Sequence, residues 1–527
     1  MRSPPIAGRA LGASTGLDPD QQRVVACRDP TIRVVAPAGA GKTRTVVERV
    51  LMRIRAGLDP QRVLVLTFDN SAAAALESRL AERSREGGTA LPALRVATLN
   101  AFGYALLRRH TPSEFRPVAT GDELEAIAAE TRAALARKSQ RHEAVLPAAD
   151  DRTWAELFGR LKNALFDSRA LDLRRLAGVL AHEERELFEQ AGRRDRARVV
   201  EAVAWLMVAY DRALALRGRI DFDDQKLRAC LALRESPELR RRFQSRWSEV
   251  VVDEFQDINR LDFELIGILS ARATLVVVGD DDQAIYAFRG CSPEWIIDLE
   301  KRSGRQLTSL ELRTNYRNPP NLLAAAVRLI RRNRCRIPKR PVASRTDEAT
   351  IDVAVYGSAI EQAKGVARSI LRARRRDHAL RFCDVAILYR VNAQSQSLRA
   401  ALRSAGIPCV VQEEDDRAES PGPHTAAADA VSLLTYFRAK GLQWPIVFLT
   451  SCNEGLTPHR RSPVEDERRL FYVAMTRASA ALHVSFLDPT DGAQPPASRF
   501  LRESGILTGG ETRRAMTATL DVEIATP

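Results

Sequence analysis

Val34-Val35-Ala36-Pro37-Ala38-Gly39-Ala40-Gly41-Lys42-Thr43 is the stretch on which the reading turns. An apolar run gives way to small residues, and Gly-Lys-Thr then opens a helical segment. Strand, small-residue loop and helix in that order make a phosphate-binding loop, with Ala36 where the pattern has its first glycine. Small side chains let backbone N–H groups approach phosphate oxygens, and the helix N-terminus adds a partial positive charge. Ala38, Gly39, Ala40 and Gly41 would form the cradle, Lys42 can reach the β- and γ-phosphates, and the Thr43 hydroxyl can sit on Mg²⁺. The loop implies nucleoside triphosphate hydrolysis and says nothing about what that hydrolysis drives.

The neighbouring segments supply the rest of a hydrolytic site. Just upstream, Asp18 or Pro19 can start a helix that carries Gln21, whose amide can donate and accept together, as an adenine edge requires. Downstream, Arg62 to Phe68 and Arg95 to Leu99 read as strands, each followed by a helical run. Strands that alternate with helices predict a parallel sheet covered on both faces. Val250-Val251-Val252-Asp253-Glu254 is an apolar run ending in two carboxylates: Asp253 can hold Mg²⁺ through water, and Glu254 can orient and deprotonate the attacking water. Thr274 to Val278 is a further strand, and it runs into Gly279-Asp280-Asp281-Asp282-Gln283. Gln283 could sense the γ-phosphate, and Tyr286 and Phe288 beside Arg289 make a candidate base-stacking platform.

Between about 110 and 218 the pattern turns helical, with no convincing strand. Val199, Val203, Leu206, Tyr210 and Leu214 recur at helical spacing, which reads as a packing face. A second α/β pattern follows, with strands expected at Ile351–Tyr356, Asp384–Tyr389, Ile446–Thr450 and Ala481–Phe486 and without a second phosphate loop. A nucleotide would then lie between the two sheet domains, and Arg317 and Arg477 are candidates to reach it from the second. The expected organisation is a first domain of 17–109 and 219–292, a helical insertion at 110–218, and a second domain of 293–411 and 429–505. A linker at 412–428 and tails at 1–16 and 506–527 complete it, the first tail expected to be disordered.

Composition agrees with a globular protein that meets an anion. Hydrophobic residues make up 45%, enough for large cores, and the formal net charge of +14 favours nucleic acid. Seven cysteines occur singly, with no paired Cys-x-x-Cys, which argues against zinc or iron–sulfur clusters and fits a reducing, bacterial cytoplasm. No run of about eighteen apolar residues exists, so no membrane partner is expected.

Taken in order, the segments resemble the superfamily 1 DNA helicases of the UvrD/Rep type, from about Leu17 to Leu501. Gln21 lies in a segment like the Q motif, and Ala36–Thr43 is similar to motif I. Thr67-Phe68-Asp69-Asn70 resembles motif Ia and Thr98-Leu99-Asn100-Ala101-Phe102 motif Ib. Val252 to Asp257 is similar to motif II, Gly279 to Gly290 to motif III, and Asn315-Tyr316-Arg317 to motif IV. Ala439 to Trp444 resembles motif V, and Glu467 to Ala478 motif VI.

The resemblance implies an α/β fold of two RecA-like parallel-sheet domains with an inserted helical domain. It implies ATP and Mg²⁺ as cofactors, and single-stranded DNA and its junctions with duplex as partners. Gln21 and Arg44 would contact the adenine side with Tyr316 stacked on the base, and Gly441 and Gln443 would join the nucleotide site. Lys42, Thr43, Asp253, Glu254, Gln283, Arg317 and Arg477 would carry hydrolysis. Phe68, Asn70, Thr98, Asn100, Tyr286, Phe288, Arg390 and Asn392 would meet the DNA strand, along which family members step 3′ to 5′.

Departures from the family pattern bear on coupling rather than on hydrolysis. Asn100 and Phe437 stand where histidines are usual, Phe288 where a tryptophan is, and Gln443 where a glutamate is. Typical relatives also insert a long domain, 2B, before motif V, which touches duplex DNA and restrains unwinding. Here only about Gln412 to Ala428 is available, an acidic stretch with Pro, Gly and His. The expectation is an ATP-driven translocase and helicase in repair, recombination or defence that unwinds poorly alone. The alternative is a nucleotide-gated DNA-binding or regulatory subunit of a nuclease or antiphage complex, with little unwinding of its own, where a partner protein supplies any cleavage.

Overall fold

A computed structural model describes residues 16–507 apart from 90, 92, 114, 147–148, 184, 413–428 and 489–494. All but Gly16 of the tail expected at 1–16, all but Gln412 of the linker, and most of the tail expected at 506–527 lie outside the described residues.

The first sheet has six parallel strands: β1 (Thr31–Val35), β2 (Val63–Thr67), β3 (Arg95–Thr98), β4 (Glu249–Val252), β5 (Thr274–Gly279) and β6 (Thr308–Glu311). Their order is β3-β2-β4-β5-β1-β6. Near-continuous apolar runs form these strands because both faces are covered. The alternation of side chains sorts them: Leu64, Leu66, Val250, Val252 and Val277 enter one core, while Val63, Val65, Val251, Val276 and Val278 enter the core on the other side. Val35 is level with Gly279, and Val252 with Val277. The loops after β1, β4 and β5 therefore leave the same carboxyl edge, where open α/β sheets bind ligands.

β6 corrects the expected boundary at 292. Thr308-Ser-Leu-Glu pairs with β1, so the first domain runs on to Glu311. It is an edge strand with only partly covered side chains, and it therefore lacks the apolar run that marks its neighbours.

The chain then forms a short parallel pair, β7 (Thr314–Asn315) with β8 (Val342–Ala343). The second sheet follows, from β9 (Thr350–Tyr356), β10 (Val385–Tyr389), β11 (Cys409–Val411), β12 (Val431–Thr435), β13 (Trp444–Leu449) and β14 (Ala478–Leu487). All its pairs are parallel, in the order β11-β12-β10-β13-β14-β9. β11 and β12 add two strands to the four expected, and β12 pairs directly with β11 across a connection of residues 412–430. Ile506 and Leu507 are buried in this domain's core, which extends it beyond the expected end at 505.

The insertion is helical, as expected, with helices Gly121–Lys138, Asp151–Asn163, Leu173–Glu183 and Arg185–Leu216 among its elements. The stripe Val199, Val203, Leu206, Tyr210 and Leu214 is fully buried with Trp154, Phe158 and Leu161. Where the insertion enters and leaves, Val118 and Ile220 form a parallel bridge. Lys162, itself wholly buried, holds Asp211, Asp221 and Asp224 there at 2.8, 2.6 and 3.0 Å. Among the described residues no helix is long and apolar enough to cross a membrane, and all seven cysteines are free thiols.

Candidate nucleotide and nucleic-acid site

Gly41 caps the helix Lys42–Arg55 in the left-handed region, at φ 77°. Gly39 has the same φ, and a Cβ there would come within 2.8 Å of the Arg317 Cβ. Left-handed backbone and the close approach of a neighbour both call for glycine at Gly39. Lys42 lies at the mouth of the loop with its Nζ 3.1 and 3.2 Å from the two Glu254 carboxylate oxygens.

Glu254 also has a positive φ of 53°. A non-glycine residue in that region is strained and is a mark of functional turns. The turn follows β4 immediately and sends the Glu254 side chain to Lys42 while Asp253 stays buried. The Glu254 N–H donates to Asp253 Oδ1 at 3.0 Å. Burial works to raise the Glu254 carboxyl, but Lys42 and then Lys440 outweigh it and hold it down at about 2. Burial, then the charge of Glu254, pushes Asp253 up to about 7. Among the described residues Asp253 has no ion-pair partner. A buried carboxylate with no cation paired to it is the kind of donor a divalent cation takes.

The second domain supplies cations to this edge. Arg477 is buried, and its guanidinium donates to the carbonyls of Val473 and Leu442 and to Gln283 Oε1 at 3.1 Å. Gln283 in turn donates to Asp280 Oδ2 at 2.6 Å. Arg317 donates to Gln443 Oε1 at 2.7 Å and to the Thr476 carbonyl at 3.3 Å. Neither arginine forms an ion pair with a carboxylate among the described residues. Burial pushes Arg317 down to about 10, and burial plus the Arg317 charge push Arg477 down to about 9. Two desolvated cations without counter-charges make a site for an anion.

The remaining nucleotide residues divide. Tyr316 is exposed, its N–H donates to the Gly39 carbonyl at 2.9 Å, and its hydroxyl to Asp18 at 2.5 Å, which leaves a ring face beside the loop. Arg44 is exposed and donates to the Gly16 carbonyl. Gly441 is exposed at φ 83°. Gln21 is buried, its amide N–H donates to the Ala40 carbonyl at 3.3 Å, and its oxygen accepts from the Asp18 N–H at 3.3 Å. Its amide therefore braces the phosphate loop and caps a helix, using one of its two N–H donors and one oxygen lone pair.

The expected strand-binding residues form a row of rings. Phe68 stacks on Tyr286 with centroids 5.1 Å apart, Tyr286 meets Phe288 at 6.1 Å, and Phe288 meets Phe437 of the second domain edge-on at 5.4 Å. Phe288 is 54% exposed, which removes the plain reading of a core aromatic. The Arg289 guanidinium lies 5.6 Å over both Tyr286 and Phe288. Asn70 and Asn392 are exposed. Arg390 is not a free cation, because it makes a bidentate pair with Glu467 at 2.7 and 3.0 Å and covers the Phe437 ring at 5.2 Å. Thr98 is buried, and its hydroxyl accepts from the Ala101 N–H and so caps the helix Leu99–His110. Asn100 donates to the Phe222 carbonyl at 3.0 Å, and the Phe222 ring is 58% exposed.

Several groups were not singled out from sequence. Lys440 reaches across to Asp257 and to the Gln283 carbonyl at 2.8 Å, and lies 5.0 Å over the Tyr286 ring. Asn315 donates to the Ala38 carbonyl at 2.7 Å and ties the phosphate loop to β7. Both lie inside segments quoted above, and only the fold reveals their partners. Phe222, in Ile220-Asp-Phe-Asp-Asp, carries an apolar ring among acids, a signal the sequence did offer.

Two parallel sheets that meet at a phosphate loop, a carboxylate pair and two carboxylate-free arginines define a P-loop nucleoside triphosphatase of two RecA-like domains. The chain belongs to the UvrD/REP helicase family: the UvrD/REP helicase N-terminal domain matches residues 17–303. The UvrD-like helicase C-terminal domain matches 310–417 and 418–488. The chain is similar to the ATP-dependent DNA helicase UvrD2 of Mycobacterium bovis, 28% identical over 92% of this chain and 81% of the relative. UvrD1 of the same organism is 30% identical over 77% of this chain and 51% of its own length. The ATP-dependent DNA helicase PcrA of Leuconostoc citreum is 28% identical over 75% of this chain and 49% of its own. The chain thus spans about half the length of the PcrA and UvrD1 relatives.

Proposed function

We propose that this protein hydrolyses ATP between its two sheet domains and uses the cycle to move 3′ to 5′ along single-stranded DNA. The observation that carries the reading is the pair Arg317 and Arg477, without carboxylate partners yet near enough to Glu254 of the other domain to feel its charge. A triphosphate is the anion that would satisfy Arg317, Arg477 and Lys42 at once. Backbone N–H groups of Ala38 to Gly41 and the start of the helix at Lys42 would hold its phosphates, with Tyr316 beneath the base. Mg²⁺, held by Thr43 and Asp253, would neutralise charge on the β- and γ-phosphates.

Lys42 and Glu254 would exchange partners on binding. Drawn to the phosphates, Lys42 leaves Glu254, whose basicity then rises from its depressed value, and Glu254 can take a proton from water. Arg317 and Arg477 would stabilise charge on the γ-phosphoryl as it transfers, an effect on the order of 10³-fold or more. Gln283, bonded to Arg477, links that end to Tyr286 and Phe288 three and five residues on. Drawing the domains together would shift Phe437 against Phe288, and so one ring platform past the other.

The deciding experiment is ATP hydrolysis with and without single-stranded DNA, beside Lys42→Ala. Strong stimulation, lost in the variant, supports the motor. Turnover indifferent to DNA favours the second reading, a nucleotide-gated subunit serving a nuclease or defence partner. One observation favours that alternative: Arg390 is already neutralised by Glu467, which lowers the charge available to a strand.

A further inference from the structure

Gly279-Asp280-Asp281-Asp282-Gln283 leaves β5 of the first domain, where the Asp280 N–H donates to Gln256 Oε1 at 2.9 Å, yet its aspartate side chains are paired from the second. Lys339 is 3% exposed, and its Nζ lies 2.7 Å from Asp280, 2.5 Å from Asp281 and 2.9 Å from Asp282. Arg336 adds a bidentate pair to Asp282 at 2.9 and 2.7 Å, and the Ile337 N–H donates to Asp281 at 2.7 Å. These groups follow the helix Pro320–Ile330, which packs on Val464–Met475 of the second domain. The far end of that second helix leads to Arg477.

We infer that Lys339, with Arg336, fastens the Asp280–Gln283 loop to the second domain, and so acts as a positioning residue for Gln283 and the ring platform behind it. The inference rests on the hydrolytic reading of the site above and adds a mechanical one. A run of three buried aspartates is unstable unless countered, and two cations from one short segment counter it. Asp280 is the shared member: it accepts from Lys339 on one oxygen and from Gln283 on the other. Gln283 then accepts from Arg477. Lys339, Asp280, Gln283 and Arg477 form one chain that begins and ends in the second domain. Through it, a loop that belongs by sequence to the first domain, and whose Asp280 N–H still donates to Gln256 there, is coupled to the second. Gln283 and Arg477 would therefore meet a nucleotide held at Lys42 as a unit, with Tyr286 and Phe288 close behind them in the chain.

Removing Lys339 alone leaves three carboxylates to one cation, so the test uses the charge-balanced double variant Lys339→Met/Asp281→Asn in the full chain. Arg336→Gln serves as a milder companion. The first readout is amide hydrogen exchange over 280–288, where Gln283 and Ala284 donate within the loop. The expected result is faster exchange there with exchange over the phosphate loop unchanged. The second readout is ATP turnover against nucleotide affinity. The kcat should fall about ten- to a hundredfold while the Kd for a fluorescent ATP analogue holds, since misplacing a catalytic group costs rate. Lys339→Arg should recover part of the loss.

A cycle with Gln283→Ala separates positioning from general damage: in that background the double variant should cost no further rate. Additive losses, or wild-type exchange over 280–288 in the double variant, overturn the inference. If the wild-type protein turns over no ATP, the hydrolytic reading falls, and exchange alone decides the fastening.

Discussion

Lys42 and Glu254 illustrate how much one side chain depends on another. Each sits in the ordinary place for its task, but in this state they satisfy one another at 3.1 Å. Lys42→Ala should abolish ATP turnover and leave the fold intact, checked by steady-state hydrolysis beside thermal unfolding. Glu254→Gln should bind the nucleotide with near wild-type affinity and hydrolyse it about a hundredfold or more slowly, read by single-turnover kinetics. At this scale the sequence was most informative about residues on the phosphate loop and the carboxylate strand, because backbone geometry sets their roles locally. It was least informative where a partner decides the role. Arg390 reads as a cation for DNA until Glu467, distant in the chain, is found to neutralise it. Gln21 reads as a base-recognising amide, and only the fold reveals that it also braces the phosphate loop through Ala40 and caps a helix at Asp18. Lys339 carries no local signal at all, since nothing near it in the chain hints at three aspartates.

Among elements, the helix Pro19–Ala26 shows how a short segment is pinned. Asp18 caps it, and Asp20, buried, pairs with Arg313 at 3.0 Å where the chain passes from β6 to β7. The hydrogen bond from Arg313 comes first among the causes that bring Asp20 down from 3.8 to about 2. Because the folded value is the depressed one, this stabilisation is present in full above about pH 4 and is lost as pH falls through about 2. Asp20→Asn should lower the Tm at neutral pH, and the gap to wild type should close towards pH 2 in thermal melts. The row of rings tests a second set of elements. Phe288→Ala should weaken single-strand binding by about 1–3 kcal/mol in fluorescence anisotropy, as the loss of one stacking partner does. The strands that escaped the sequence reading share a cause. β6 and β11 lie at sheet edges and β11 has only three residues, so neither needs a long apolar run. β12 is apolar but stands directly behind an acidic, proline-containing stretch that obscures its start.

As a whole, the molecule has two sheet domains, and the second carries only a short connection between β11 and β12. Binding to single-stranded DNA should weaken steeply with salt, because phosphate contacts release counterions. A titration of Kd from low to moderate ionic strength measures it, and a flat response would count against backbone tracking. Unwinding of a long duplex by the purified protein should be poor beside its translocation on single strands. Efficient unwinding would refute that expectation.

The bridge between Val118 and Ile220 places the two ends of the helical insertion side by side. Topologically the unit is a plug-in cassette: the first sheet closes without it, and a short turn from Pro117 to Ile220 would heal the gap. Lys162 qualifies that freedom. It enters with the cassette, while Asp221 and Asp224 belong to the socket. Excision would strand two buried acids, and a cassette from another source would seat only if it carried a cation at the same depth. The contact thus works as a compatibility key, and chimaeras that exchange the insertion should fold in proportion to how well they reproduce it.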